Sequence, residues 1–146
     1  MKQTEPLKAI DGREFRDMFT TATAWLEKNA AEIDALNVFP VPDGDCGTNM
    51  LLTMRSAIEE AQTVTDCSVA SVTEAMAKGS LMGARGNSGV ILSQIWRGIA
   101  ESMSGKDAIT AKDMAEALAK AAVTAREAAG IGLVVIGVAL LLWAAT

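Results

Sequence analysis

The 146-residue chain contains no histidine and no tyrosine. Without an imidazole there is no histidine general base, no histidine metal ligand and no serine–histidine triad. The two cysteines, Cys46 and Cys67, match no zinc or redox spacing. Basic runs and basic–aromatic interleaving are missing, and the net charge is −5, so nucleic acid is not an expected partner. The opening stretch "MKQTEPLKAIDG" has no apolar core of the kind a secretory signal needs. A reducing cytosol is therefore the default compartment. Aromatics are scarce too, with three tryptophans and three phenylalanines.

Half of the residues are apolar, carried mostly by alanine, methionine and leucine, which suits helix-on-helix packing better than a sheet. The length fits one domain with a real core. Asp11 and Glu14 read as a capping box opening a long helix. Phe15, Met18, Phe19, Ala22, Leu26, Ala30 and Ile33 recur at helical spacing up to about Leu36. A second helix is expected from about Thr48 through Ile58, and a third around Val69–Met76. A fourth carries Val90, Ile91, Ile95 and Ile99, and a fifth spans Ala111 to Ala129 behind a Thr110/Asp113 capping start. No stretch alternates with period two for long enough to predict a strand.

Two breaks carry chemistry. "NVFPVPDGDCGTNM" (37–50) places Asp43 and Asp45 around one glycine, with Pro40 and Pro42 fixing the chain before them. Carboxylates so placed are hard ligands for Mg²⁺, Mn²⁺ or Ca²⁺. Thr48 is a candidate cap for the next helix, whose N-terminus would offer donors to an anion. An acidic capping turn explains the same residues, whereas an EF-hand does not: its twelfth position would be Met54. "GARGNSG" (83–89) opens the fourth helix, with Ser88 as a candidate cap and exposed backbone N–H groups as a candidate phosphate cradle. It is not a Walker loop, and close helix packing is the plainer explanation. Two such breaks, one bearing paired carboxylates, favour a metal–nucleotide site.

From Ala128 to Thr146 the chain carries no charge. That length is borderline for a membrane span of about 20 residues, with Trp143 near one end as an anchor. A buried core helix and a rearranged C-terminus are the other readings. The chain thus divides into residues 1–129, a helical domain, and residues 130–146, an apolar helix that is either a membrane anchor or core.

"LNVFPVPDGDCGTNM" together with "GARGNSGVILSQIWRG" resembles the nucleotide-binding (DhaL-type) domain shared by the dihydroxyacetone (glycerone) kinase L subunit and bacterial fatty acid kinase A, in wording closest to the latter. The resemblance covers about residues 8 to 125. It implies an all-α barrel of eight antiparallel amphipathic helices, with ATP at one end and two Mg²⁺ ions bridging its phosphates. Carried over, Asp43 and Asp45 are metal ligands, and Asn37 stands nearest a third acid of the dihydroxyacetone kinase branch. Thr48, Asn49 and Met50 lie along the nucleotide, and Asn87, Ser88 and Gly89 meet it from the second loop. Cys46 stands where threonine is more usual and is read as a tolerated small residue. The implied activity is ATP-dependent phosphoryl transfer to an acceptor presented by a partner protein, with no catalytic side chain assigned.

Where relatives continue with a Lys-Pro-Val-Glu-Gly-Thr-like segment and further helices, this chain has "AAVTAREAAGIGLVVIGVALLLWAAT". "AREAAG" (125–130) resembles what normally follows that segment, so the expectation is an incomplete barrel, from natural truncation, a rearranged frame or engineering. The alternatives to a kinase domain are an inactive, membrane-tethered remnant and a structural bundle that forms homo-oligomers through exposed faces.

Overall fold

A computed structural model describes residues 9–38 and 41–144, with side chains placed as far as Gly130. The stiffening role expected of Pro40 and the side chains of the apolar tail beyond Gly130 lie outside the described residues.

The chain is all-α, as its composition implied. Helices α1 (Gly12–Ala35), α2 (Cys46–Gln62), α3 (Val69–Met82), α4 (Gly86–Met103) and α5 (Ala111–Ala144) are joined by short connections. Two-residue strands β1 (Ile10–Asp11) and β2 (Ala108–Ile109) pair antiparallel, with Ile10 opposite Ile109. Elements so short leave no period-two signature, which is why the sequence pattern gave no strand. Helix α5 runs through residue 130 without interruption. Among the described residues, no helix is long and apolar enough to cross a membrane.

Local chemistry sets the helix starts. The Glu14 N–H donates to Asp11 Oδ1 at 2.9 Å, and the Asp11 N–H donates back to Glu14 Oε2 at 3.0 Å, a reciprocal cap on α1. Thr110 and Asp113 do the same for α5, with the Thr110 N–H on Asp113 Oδ2 at 2.8 Å. The other two expected caps are not used. Helix α2 begins at Cys46, before Thr48, and α4 begins at Gly86, before Ser88; neither has a side-chain cap.

Neighbouring helices run antiparallel. Arg55 on α2 meets Glu27 on α1 at 2.5 Å, Lys78 on α3 meets Glu60 on α2 at 2.5 Å, and Lys120 on α5 meets Glu101 on α4 at 3.6 Å. Since α3 reverses the chain between them, α2 and α4 lie parallel, with Trp96 Nε1 donating to Met54 Sδ at 3.1 Å. Phe15 and Phe19 close on Trp96 with ring centroids 6.4 and 4.8 Å away, both edge-on. Such pairs add about 0.5–1.5 kcal/mol each beyond area burial, so three of the few aromatics fasten α1, α2 and α4 together. The inward stripe of α4 is Gly89, Ser93, Trp96, Ile99 and Met103. Val90 and Ile91, expected inside, are 50% and 42% exposed because small residues take the crossing points.

Helix α1 is tied to the start of α2 by Asp34. Its carboxylate accepts the Thr48 hydroxyl at 2.6 Å and the Thr48 N–H at 3.0 Å. The hydroxyl first, then the N–H groups of Thr48 and Gly47, hold Asp34 below its ordinary value of 3.8. A depressed carboxylate stabilises the fold above its unfolded pKa and loses that contribution as pH falls through the folded one.

Two predictions follow from this packing. A Cβ on Gly98 would stand 2.7 Å from Ala121 Cα and 2.9 Å from Thr124 Oγ1, so α4 and α5 meet at backbone distance. Gly98→Ala is expected to lower the urea midpoint by the equivalent of about 1–3 kcal/mol, against the gain of about 1 kcal/mol from helix propensity. A raised midpoint contradicts the crossing. Thr48→Val is expected to return Asp34 toward 3.8 in a carboxyl NMR titration, and its stability deficit should shrink as pH falls below that value. A deficit independent of pH contradicts the clamp.

Candidate functional site

The parallel run of α2 and α4 brings their N-termini to one end of the bundle, below the α1–α2 connection. Between them lies a cleft of about 190 Å³ lined by Asn37, Val41, Asp43, Asp45, Cys46, Asn49, Gly86, Asn87 and Ser88. The two breaks singled out in the sequence, 46 residues of chain apart at Asn87 and Val41, therefore face each other.

The first wall is the acidic turn. Gly44, between the two aspartates, has φ of 66°, a left-handed conformation that other residues adopt at a cost. It turns the chain so that Asp43 and Asp45 both reach the cleft. Asp43 is exposed and Asp45 half-buried at the N-cap position of α2. Asn37 donates its side-chain N–H to Asp43 Oδ1 at 2.6 Å, which orients that carboxylate; among the described residues the Asn37 side-chain oxygen has no donor. Asp34 already occupies the Thr48 N–H and hydroxyl, so neither aspartate of the turn is needed there.

The second wall is the start of α4. Gly86 has φ of 57°, and a Cβ on it would collide with the Asn49 side chain. The close fit of Gly86 on Asn49 sets the spacing of the walls. Ser88 Oγ donates to the Cys46 carbonyl at 3.5 Å across the cleft. Among the described residues, the N–H groups of Gly86, Asn87 and Ser88 have no protein acceptor. The start of α3 is the contrast: there the Val69 and Ala70 N–H groups donate to the Asp107 and Lys106 carbonyls at 3.1 and 2.9 Å. Helix N-termini with free donors favour anions.

Of the residues expected at a site, Asn37, Asp43, Asp45, Asn49, Asn87 and Ser88 line the cleft together. Thr48, Met50 and Gly89 do not: Thr48 turns to Asp34, and Gly89 is buried against Thr53. Asp34 was missed. A carboxylate in the last turn of a helix has no distinctive signature, and its role depends on the antiparallel return of α2. Val41 also lines the cleft unforeseen, and Gly86 lines it as part of the expected glycine-rich cradle. The positive φ of Gly86 could have been suspected from its place between Arg85 and Asn87 at a helix start.

A DAK2 domain matches residues 40–134 of the chain. Protein YloV of Bacillus subtilis (strain 168) is 48% identical over 112 residues, covering 77% of this chain and 20% of that protein. Uncharacterized proteins of Staphylococcus aureus, from strains USA300 and N315, are each 43% identical over 122 residues, covering 84% of this chain and 22% of theirs. The chain thus spans about a fifth of the length of the curated relatives it matches. With the matched stretch taking in the acidic turn's two aspartates, the second loop, three whole helices and most of α5, the chain belongs to the DAK2-domain family, which is related to dihydroxyacetone kinase.

Proposed function

We propose that the cleft binds a magnesium–adenine nucleotide complex and that the domain serves phosphoryl transfer to an acceptor presented by a partner protein. The observation that carries this reading is the pairing of opposite demands in one small space. Two carboxylates that want a cation face a helix start whose N–H groups want an anion.

The donor set suits magnesium. Asp43, Asp45 and the Asn37 carbonyl are hard oxygen ligands. Among the described residues, no group of three or more histidine, cysteine, aspartate or glutamate side chains gathers to hold a metal alone. Magnesium is commonly held by one or two carboxylates, with waters and substrate phosphates completing the octahedron. When bound, it would offset negative charge on the phosphates. The N–H groups of Gly86, Asn87 and Ser88 would meet phosphate oxygens, and Asn49 would fix the nucleotide between the walls. These side chains position and neutralise; none has to abstract a proton.

An ionised carboxylate acceptor fits a chain without histidine, because it needs no general base. That favours the fatty acid kinase branch over the dihydroxyacetone branch. Presentation by a partner is supported by exposed apolar side chains on the elements that lead to the cleft: Leu36, Val38, Val41, Met82 and Val90 are each at least half exposed. Clustered exposed apolar residues mark contact surfaces.

Calorimetric titration tests the reading. Mg²⁺ with ADP should give a saturable heat that EDTA abolishes. Asp43→Ala and Asp45→Ala should each weaken binding roughly tenfold to a hundredfold, as removal of a charged ligand does. No heat with the unaltered protein, or affinity in both variants unchanged from it, overturns the reading.

A further inference from the structure

Thr53 does not line the cleft, yet it bonds both Asn49 and the residue that leads into Gly86, the pair whose close fit spaces the walls. It lies one turn beyond Asn49 on α2 and is fully buried. Its Oγ1 donates to the Asn49 carbonyl at 2.8 Å, which fixes the rotamer. The same oxygen accepts the Arg85 N–H at 3.2 Å, the residue that leads into Gly86. Gly89 packs its backbone on this hydroxyl so closely that a Cβ there would collide with it. Arg85 is the N-cap of α4 and offers no capping side chain.

We infer that Thr53 is a positioning residue: its hydroxyl, supplied from α2, anchors the start of α4 so that the Gly86–Ser88 donors face the carboxylate turn. This rests on the nucleotide reading of the cleft and assigns one part of its geometry. The logic is that of an orphan donor. The Arg85 N–H, part-buried against α2, has its acceptor in Thr53, and a donor so placed is costly to leave unpaired, which holds Arg85 there. The i−4 bond to Asn49 spends the hydroxyl hydrogen and presents a lone pair to Arg85. Loss of the hydroxyl therefore frees the loop while leaving helix α2 intact.

Thr53→Val keeps the shape and removes the hydroxyl; Thr53→Ser keeps the hydroxyl. The Val variant should bind Mg²⁺–ADP roughly tenfold more weakly, with affinity for adenosine unchanged, because only phosphate contacts depend on the loop. Its Arg85 amide should exchange faster with solvent by NMR. The Ser variant should recover both properties. If Thr53→Val does not fold, Thr53→Ala carries the same expectation. Unchanged Mg²⁺–ADP affinity, equal loss for ADP and adenosine, or unaltered Arg85 exchange each overturns the inference. Absence of Mg²⁺–ADP binding by the unaltered protein overturns the nucleotide reading instead, and Arg85 exchange still decides whether Thr53 holds the loop.

Discussion

The lateral packing of α2 on α4 is the constraint from which the cleft follows. Two helices separated by one intervening reversal must lie parallel, and parallel helices present the same end of their dipoles to the same side of the molecule. Met54, Trp96 and the two phenylalanines of α1 fix the distance and register of that pair well inside the core. A slip of one turn, about 5.4 Å, would carry Gly86 away from Asn49 and separate the two walls. The site at the end of the bundle is therefore set by contacts in its middle, where no ligand reaches.

The two ends of the bundle solve the same problem differently. At the far end, the donors that open α3 meet carbonyls of the α4–α5 connection. Lys106 and Thr110 hold Asp113 well below the ordinary carboxylate range. These donors have protein partners, and the result is a fastening. At the cleft end, Asp34 performs that service for α2, and Thr53 accepts from Arg85 just before α4. The start of α4 keeps its donors, and Asp43 and Asp45 have no cationic partner within ion-pair distance among the described residues. Two carboxylates side by side with no counter-charge repel, and a divalent cation relieves that repulsion. The difference between the ends is what supports the proposed binding role of the loop at the cleft.

Much of this was legible in the residues, for identifiable reasons. The Asp11/Glu14 and Thr110/Asp113 caps are short-range devices, so their spacing alone reveals them. The two glycine-rich breaks were legible because the chain spends paired acids and left-handed positions where an ordinary turn needs neither. The caps assigned to Thr48 and Ser88 failed for the same physical reason as the missed Asp34. Each of these side chains finds its partner on another helix, and a one-dimensional pattern weighs only near neighbours. Burial on α4 misled in the same way. Val90 and Ile91 have the right hydrophobicity for the core, but Gly89 and Ser93 occupy the crossings because α2 approaches too closely for anything larger.

The exposed apolar side chains bear on how such a site is used. A cleft of about 190 Å³ between two helix ends is small beside a nucleotide, and much of any ligand placed there would stand outside it. Phosphoryl transfer favours an acceptor held in line and water kept away. Helix ends alone do neither. Val41 lines the opening, and Leu36, Val38, Met82 and Val90, on the elements that lead to it, are exposed apolar side chains. Burying them against a second protein surface would close the cleft and align the acceptor in one step. For a chain that represents about a fifth of its relatives' length, the proposed function would give the domain the metal and the phosphates, and leave the acceptor to whatever covers these side chains.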